Sequence, residues 1–225
     1  MVETMSQSNL IDKIQSNLSK TILSILNHQY FSALEKNAIR KEKLEMFVCE
    51  RYHIIANDKR NFALMISKAS SDPASKLFSD CLHVESNALE NLTLMAEELV
   101  IDKRKIESYE PLGCQAYTNY LTRLAVYGSD AEILIALLID FPVWGANCGK
   151  MSSILQKNYG FKGNSLVFLD KFAAPLPEEF VNESKELIGA AFPKYEKRIG
   201  TAARLILHYE LSFWDMIYRH SISEQ

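Results

Sequence analysis

Glycine and proline are scarce in this chain: eight and six among 225 residues. Long stretches carry neither, which excludes the turn-dense pattern of small β-sandwiches and barrels. No apolar/polar alternation survives for more than a few residues, and no internal repeat or low-complexity segment is present. The four cysteines (Cys49, Cys81, Cys114 and Cys148) form no CxxC pair and have no histidine at zinc-finger spacing. Buried, reduced thiols are therefore expected, and with them a cytoplasmic location. A net charge of -3 supplies no basic field for nucleic acid. Met1 to Asn9 is polar and lacks the apolar core of a signal peptide, so residues 1–8 are expected as a disordered tail. No apolar run reaches the roughly 18–20 residues that span a bilayer, and no membrane partner is expected. No Gly-rich phosphate loop, GxSxG elbow, HExxH or HxxxH occurs.

What remains is helical periodicity. Ile11, Ile14, Leu18, Ile22 and Ile25 recur at three- and four-residue spacing and predict a first amphipathic helix. A second is expected over about Lys41 to Ala69, and Ser71-Asp72-Pro73 opens a third that runs to about Val100. A loop around Ser108 to Gly113 precedes a fourth helix, Cys114 to Tyr127. Gly128-Ser129-Asp130 ends that helix and caps the fifth, which reaches about Lys157. Short helices and a last long one, about Pro193 to His220, complete an all-α bundle in one domain, residues 1–225. The fifth helix is apolar nearly all round in its first half, which places it centrally. Pro142 predicts a kink there, and Gly145 and Gly149 share a face that admits a neighbouring backbone or a flat ligand.

Two carboxylates stand alone in apolar helical runs. Asp140 follows Ile133-Leu134-Ile135-Ala136-Leu137-Leu138-Ile139 and precedes Phe141-Pro142-Val143-Trp144. Glu210 lies in Ile206-Leu207-His208-Tyr209-Glu210-Leu211-Ser212-Phe213-Trp214 and shares a helix face with Ile206, Phe213 and Ile217. A buried carboxylate either finds a partner or holds its proton toward neutral pH. Two readings stand for each: a structural acid satisfied by a neighbouring Tyr, Arg or His, or a general acid/base beside an aromatic that stacks a flat substrate. Glu50-Arg51 lies inside an apolar helix, where Arg51 is a candidate partner for either acid. His83, Glu85 and Glu90 are the nearest approach to a metal cluster, but His83 and Glu85 at i, i+2 do not share a face, so no metal or other cofactor is expected.

Tyr209-Glu210-Leu211-Ser212-Phe213-Trp214-Asp215-Met216-Ile217-Tyr218-Arg219, on a helical chain of this length, resembles the TenA family of thiamin-pyrimidine salvage enzymes, with the haem-oxygenase-like fold. Ala116-Tyr117-Thr118 followed by Asp130 to Leu138 is a second match; Asn27 to Phe31 with Phe47-Val48 is a weaker third. The resemblance implies an acid/base role for Glu210, contact of Phe213 and Tyr117 with a pyrimidine ring, and a homo-oligomer, a tetramer. Asp140 stands where many members have a nucleophilic Cys, Arg51 (with Glu50 beside it) where they have the Asp that holds the aminopyrimidine, and Ile54 where they have a tyrosine. A carboxylate is a poor substitute for a thiolate nucleophile. The chain therefore sits nearer the branch without that Cys, associated with hydrolysis of amino- or formylamino-pyrimidines. The catalytic candidates are Glu210 and Asp140; the ligand-binding candidates are Tyr117, Phe213, Arg51 and Glu50. The competing expectations are a non-catalytic or regulatory relative that binds a small aromatic ligand, and an oxidase like the PqqC branch, which Phe47-Val48-Cys49-Glu50-Arg51-Tyr52 resembles. Some members are named as transcriptional activators, but no DNA-reading helix is evident.

Overall fold

A computed structural model describes residues 7–111 and 113–223; the expected tail over residues 1–6 lies outside them. Residues 7 and 8, assigned to that tail from sequence, already belong to α1, Gln7–Leu26. There follow α2 (Gln29–Glu35), a 3-10 turn (Lys41–Leu44), α3 (Glu45–Lys68), α4 (Asp72–Glu98), α5 (Lys103–Glu107) and α6 (Gln115–Tyr127). The chain continues with α7 (Asp130–Tyr159), a second 3-10 turn (Gly163–Leu166), α8 (Val167–Ala173) and α9 (Glu178–Ile222). No strand occurs among the described residues, so the all-α class holds.

Most boundaries follow local chemistry. Ser71 caps α4 by accepting the Ala74 N–H, with Pro73 in the first turn. The α4 C-terminus closes with Val100 at φ 56°, its N–H on the Glu97 carbonyl and that of Ile101 on the Ala96 carbonyl. That is the left-handed cap geometry normally given to glycine, occupied here by a β-branched residue. Ser129 and Glu132 form a reciprocal capping box at the start of α7, and Arg198 of α9 holds Glu132 at 2.8 Å. Gly160, at φ 70°, ends α7.

Two expectations change. α9 begins at Glu178 rather than near Pro193, because Pro193 bends the helix without ending it: Tyr195 departs from helical dihedrals (φ -124°, ψ 17°) and helix resumes beyond it. α7 carries Pro142 within one helix spanning Asp130 to Tyr159. Its most apolar 18-residue window is long and apolar enough to cross a membrane by length and composition, although no unbroken apolar run reaches that length. Since 83% of that window is buried inside the bundle, its hydrophobicity is accounted for by core packing.

α7 is the axis around which the rest is arranged, with α9 and α8 packed on it; α3 packs against α4 and α6. Asn147 and Lys150 of α7 donate to the Ile25 and Leu26 carbonyls, satisfying the open end of α1. A Cβ on Gly145 would stand 2.6 Å from the Phe172 carbonyl oxygen, and one on Gly149 3.3 Å from Ala173. The glycine pair therefore admits the α8 backbone, one of the two occupants its spacing suggested. An aromatic slab lies between α3, α7 and α9: Trp144 stacks on Trp214 at 5.5 Å, and Phe47 lies near-parallel to both at 6.2 and 6.1 Å.

Candidate functional site

Six helices send side chains into one closed cavity. α3 contributes Arg51, Ile54 and Asp58; α4 contributes Glu85; α6 contributes Tyr117. α7 adds Asp140, Phe141 and Trp144, α8 adds Phe172, and α9 adds Glu210 and Phe213. The free space is about 20 Å³, room for a water or two, so an aromatic ligand enters only when a wall moves. Phe172, half-buried, also lines an open groove of about 380 Å³ between α4 and α8. It is the side chain that separates cavity from groove.

Asp140 and Glu210, both buried, are held from opposite sides. The Tyr117 hydroxyl donates to Asp140 Oδ2 at 2.9 Å, and the Trp214 indole N–H donates to Glu210 Oε1 at 3.1 Å. Asp140 Oδ1 and Glu210 Oε2 have no donor elsewhere among the described residues. A single proton held by Glu210 and shared with Asp140 supplies one. Burial raises both carboxyls, Asp140 to about 6; the Asp140 charge pushes Glu210 further up, while the hydrogen bonds with Glu210 and Tyr117 limit the rise at Asp140. One pocket thus offers a carboxylate and a carboxylic acid at neutral pH, the division of labour that acid/base catalysis uses.

Of the six residues singled out from sequence, five line this cavity: Arg51, Tyr117, Asp140, Glu210 and Phe213. Glu50 does not. Its carboxylate accepts from the Tyr109 hydroxyl and from the Gly113 and Cys114 amides at 3.0, 3.1 and 2.8 Å, tying the loop to the start of α6. Successive residues on a helix point in different directions, so adjacency to Arg51 carried no information. Arg51 is not the ion-pair partner considered for it either. Its guanidinium lies 4.1 Å over the Trp144 ring, and among the described residues no carboxylate comes within salt-bridge range and Nε has no partner.

Asp58 and Glu85 were not singled out as a site. Asp58 is one turn past Ile54 and two past Arg51 on the same face, and is followed by Lys59 and Arg60. Glu85 stands in the buried stripe Cys81, Glu85, Ala88, Leu92; the attempt to pair it with His83 hid that spacing. His83 instead contacts Asn87 at 3.1 Å, away from Glu85. Burial raises both acids, Glu85 to about 7; the Glu85 charge raises Asp58 further and the Arg51 charge draws both down. Among the described residues no group of three or more His, Cys, Asp or Glu is arranged to hold a metal. Cys148 is buried, and desolvation pushes its thiol up, the opposite of nucleophile activation. His28 caps α2 by accepting the Tyr30 N–H and contacts Asp215 at 3.1 Å.

With this geometry stands a match of the TENA/THI-4/PQQC family to residues 15–220, nearly the whole chain. The chain belongs to that family. An aminopyrimidine aminohydrolase of Helicobacter pylori is 20% identical over 203 residues, covering 86% of this chain and 91% of that protein. A TenA homologue of P. horikoshii superposes with TM-score 0.74 at 19% identity, covering 94% of this chain and 99% of that one. A Shewanella denitrificans domain of unknown function with a heme oxygenase-like fold superposes with TM-score 0.75 at 17% identity, covering 92% and 91%. These likenesses establish the haem-oxygenase-like fold. A thiamin-related hydrolase is supported for this TENA/THI-4/PQQC member at family level.

Proposed function

We propose that this TenA-family protein hydrolyses an amino- or formylamino-substituted pyrimidine of thiamin salvage without a cysteine nucleophile. The observation that carries the reading is the Asp140–Glu210 pair, two buried carboxyls lining one cavity, the first held by the Tyr117 hydroxyl and the second by the Trp214 indole. Asp140, oriented by Tyr117, takes a proton from water, whose oxygen bonds to the carbon bearing the leaving amine. As that carbon–nitrogen bond breaks, its electron pair goes to nitrogen and Glu210 delivers a proton to it. An aminomethyl-substituted pyrimidine and water become a hydroxymethylpyrimidine and ammonia. Glu210 then regains its proton from Asp140, which closes the cycle. Phe213 and Tyr117 flank the ring, and burial keeps competing water out.

The test is product formation from thiamin, aminopyrimidine and formylaminopyrimidine, followed by chromatography. Hydroxymethylpyrimidine from either pyrimidine is expected, with Glu210→Gln slower by at least about 100-fold and unchanged in circular dichroism. Normal turnover by that variant would refute the assignment. A second reading, a non-catalytic binder of a small aromatic ligand, is favoured by Arg51 at the place of the family's pyrimidine-holding Asp. Binding of the pyrimidines without turnover in the same assay would select it. The proposal includes a cytoplasmic homotetramer, and sedimentation analysis tests its assembly.

A further inference from the structure

The proposed reaction uses Asp140, Glu210, Tyr117 and Phe213 and leaves a second polar pole of the cavity unexplained. Arg51, Asp58 and Glu85 are 6%, 4% and 4% exposed. Arg51 Nε, Asp58 Oδ1 and Glu85 Oε2 find no partner among the described residues. Were these residues structural, the guanidinium would close on a carboxylate in a forked pair, since a buried charge without one is costly. Arg51 instead stands on the faces of Trp144, Phe168 and Phe172, at 4.1, 5.8 and 5.9 Å. The aromatic walls hold the guanidinium at the cavity it lines, and four elements converge there: α3, α4, α7 and α8.

Such a pole presents donors beside acceptors. Arg51 only donates, and the free carboxyl oxygens of Asp58 and Glu85 are placed to accept. The complementary ligand edge has a lone pair next to N–H groups, as a ring nitrogen has next to an exocyclic amine. We propose that Arg51, Asp58 and Glu85 are the specificity pole of this site, with Glu85 accepting from the exocyclic ring amine of a neutral amino-heterocycle and Arg51 donating to the adjacent ring nitrogen. This rests on the pyrimidine-hydrolase reading and assigns to it the residues that choose the substrate. An oxo-substituted ring presents the two functions in reversed order, which sets its carbonyl against the Glu85 carboxylate and its ring N–H against Arg51. The pole rejects that ring.

The experiment compares calorimetric binding of an aminopyrimidine lacking the leaving amine with that of its oxo counterpart, in wild type, Asp58→Asn and Glu85→Gln, alongside KM and kcat for the hydrolysed substrate. Wild type is expected to prefer the amino ligand by at least about tenfold, because a site built for hydrogen bonds penalises the mismatched edge. In Glu85→Gln that preference falls below about threefold, and KM rises about tenfold while kcat moves less than about threefold. Asp58→Asn shifts the preference the same way. A thermal midpoint at pH 8 no lower than wild type in Glu85→Gln shows that the fold is intact. Unchanged preference and KM in both variants, with Glu210→Gln still inactive, would overturn the specificity pole and leave the hydrolase standing. Failure of wild type to bind or turn over any pyrimidine would overturn both.

Discussion

Replacing Glu85 by Gln is expected to stabilise this protein at neutral and alkaline pH and to lose that advantage in acid. Glu85 is buried, and its carboxyl is held up at about 7 from the usual 4.5. Below pH 4.5 it is protonated whether the chain is folded or not and contributes no difference. Between pH 4.5 and 7 the folded state keeps a proton that the unfolded state has released, so stability falls as pH rises. Above pH 7 the full cost is present: a shift of this size corresponds to about 3 kcal/mol. Gln removes the titration and brings a pH-independent cost of about 1–3 kcal/mol for an amide with incompletely paired donors. Asp58 adds to the same trend, because the Glu85 charge that raises it is gone. The midpoint of Glu85→Gln relative to wild type should therefore climb by about 6–12 °C between pH 4.5 and 8, at about 2–4 °C per kcal/mol for a chain of this size. Scanning calorimetry of the two proteins in matched buffers is sufficient. A difference that stays flat across this range, or falls, would show that Glu85 is ionised without penalty and that the burial argument is wrong.

The proposed acid/base pair predicts a kcat/KM profile that rises through about pH 6 as Asp140 ionises and falls on the alkaline side as Glu210 loses its proton; a flat profile between pH 5 and 8 would contradict it. Phe172→Ala joins cavity to groove, so stopped-flow binding of the pyrimidine should speed up while stability drops by about 2 kcal/mol, less than for a fully buried phenylalanine. An unchanged association rate would place the entrance elsewhere. Val100→Gly relieves a left-handed β-branched residue and should raise stability by about 0.5–1 kcal/mol in urea titration. A loss of stability there would mean that strain at the α4 cap is compensated.

The helical scaffold was legible because its signals are local. Ser71 and Ser129 with Glu132 announced helix starts, and the Ile11 to Ile25 stripe announced a buried face. Asp140 and Glu210 were legible for a related reason: a charge inside an apolar run stands out from its neighbours. Asp58 and Glu85 stayed hidden because their neighbours are polar, and only the packing of α3 against α4 shows that these two faces meet the cavity. Glu50 misled in the opposite sense, a buried carboxylate whose partners lie at the start of α6, about 60 residues further along the chain. The start of α9 was misplaced because Pro193 reads equally well as a helix's first turn and as a bend, a choice decided by tertiary contacts rather than by the residue.

The chain contains two tryptophans, and both belong to the cavity's walls and supports: Trp144 beneath the Arg51 guanidinium, Trp214 donating to Glu210. They stack on each other at 5.5 Å. Ultraviolet emission excited through indole therefore originates wholly at the candidate site, with no background from elsewhere in the fold. Each event proposed for the cavity, from ligand binding at Arg51 to transfer of the Glu210 proton, alters the surroundings of one fluorophore or the other. The protein brings its own optical reporter, and occupancy can be followed in the unlabelled wild-type chain.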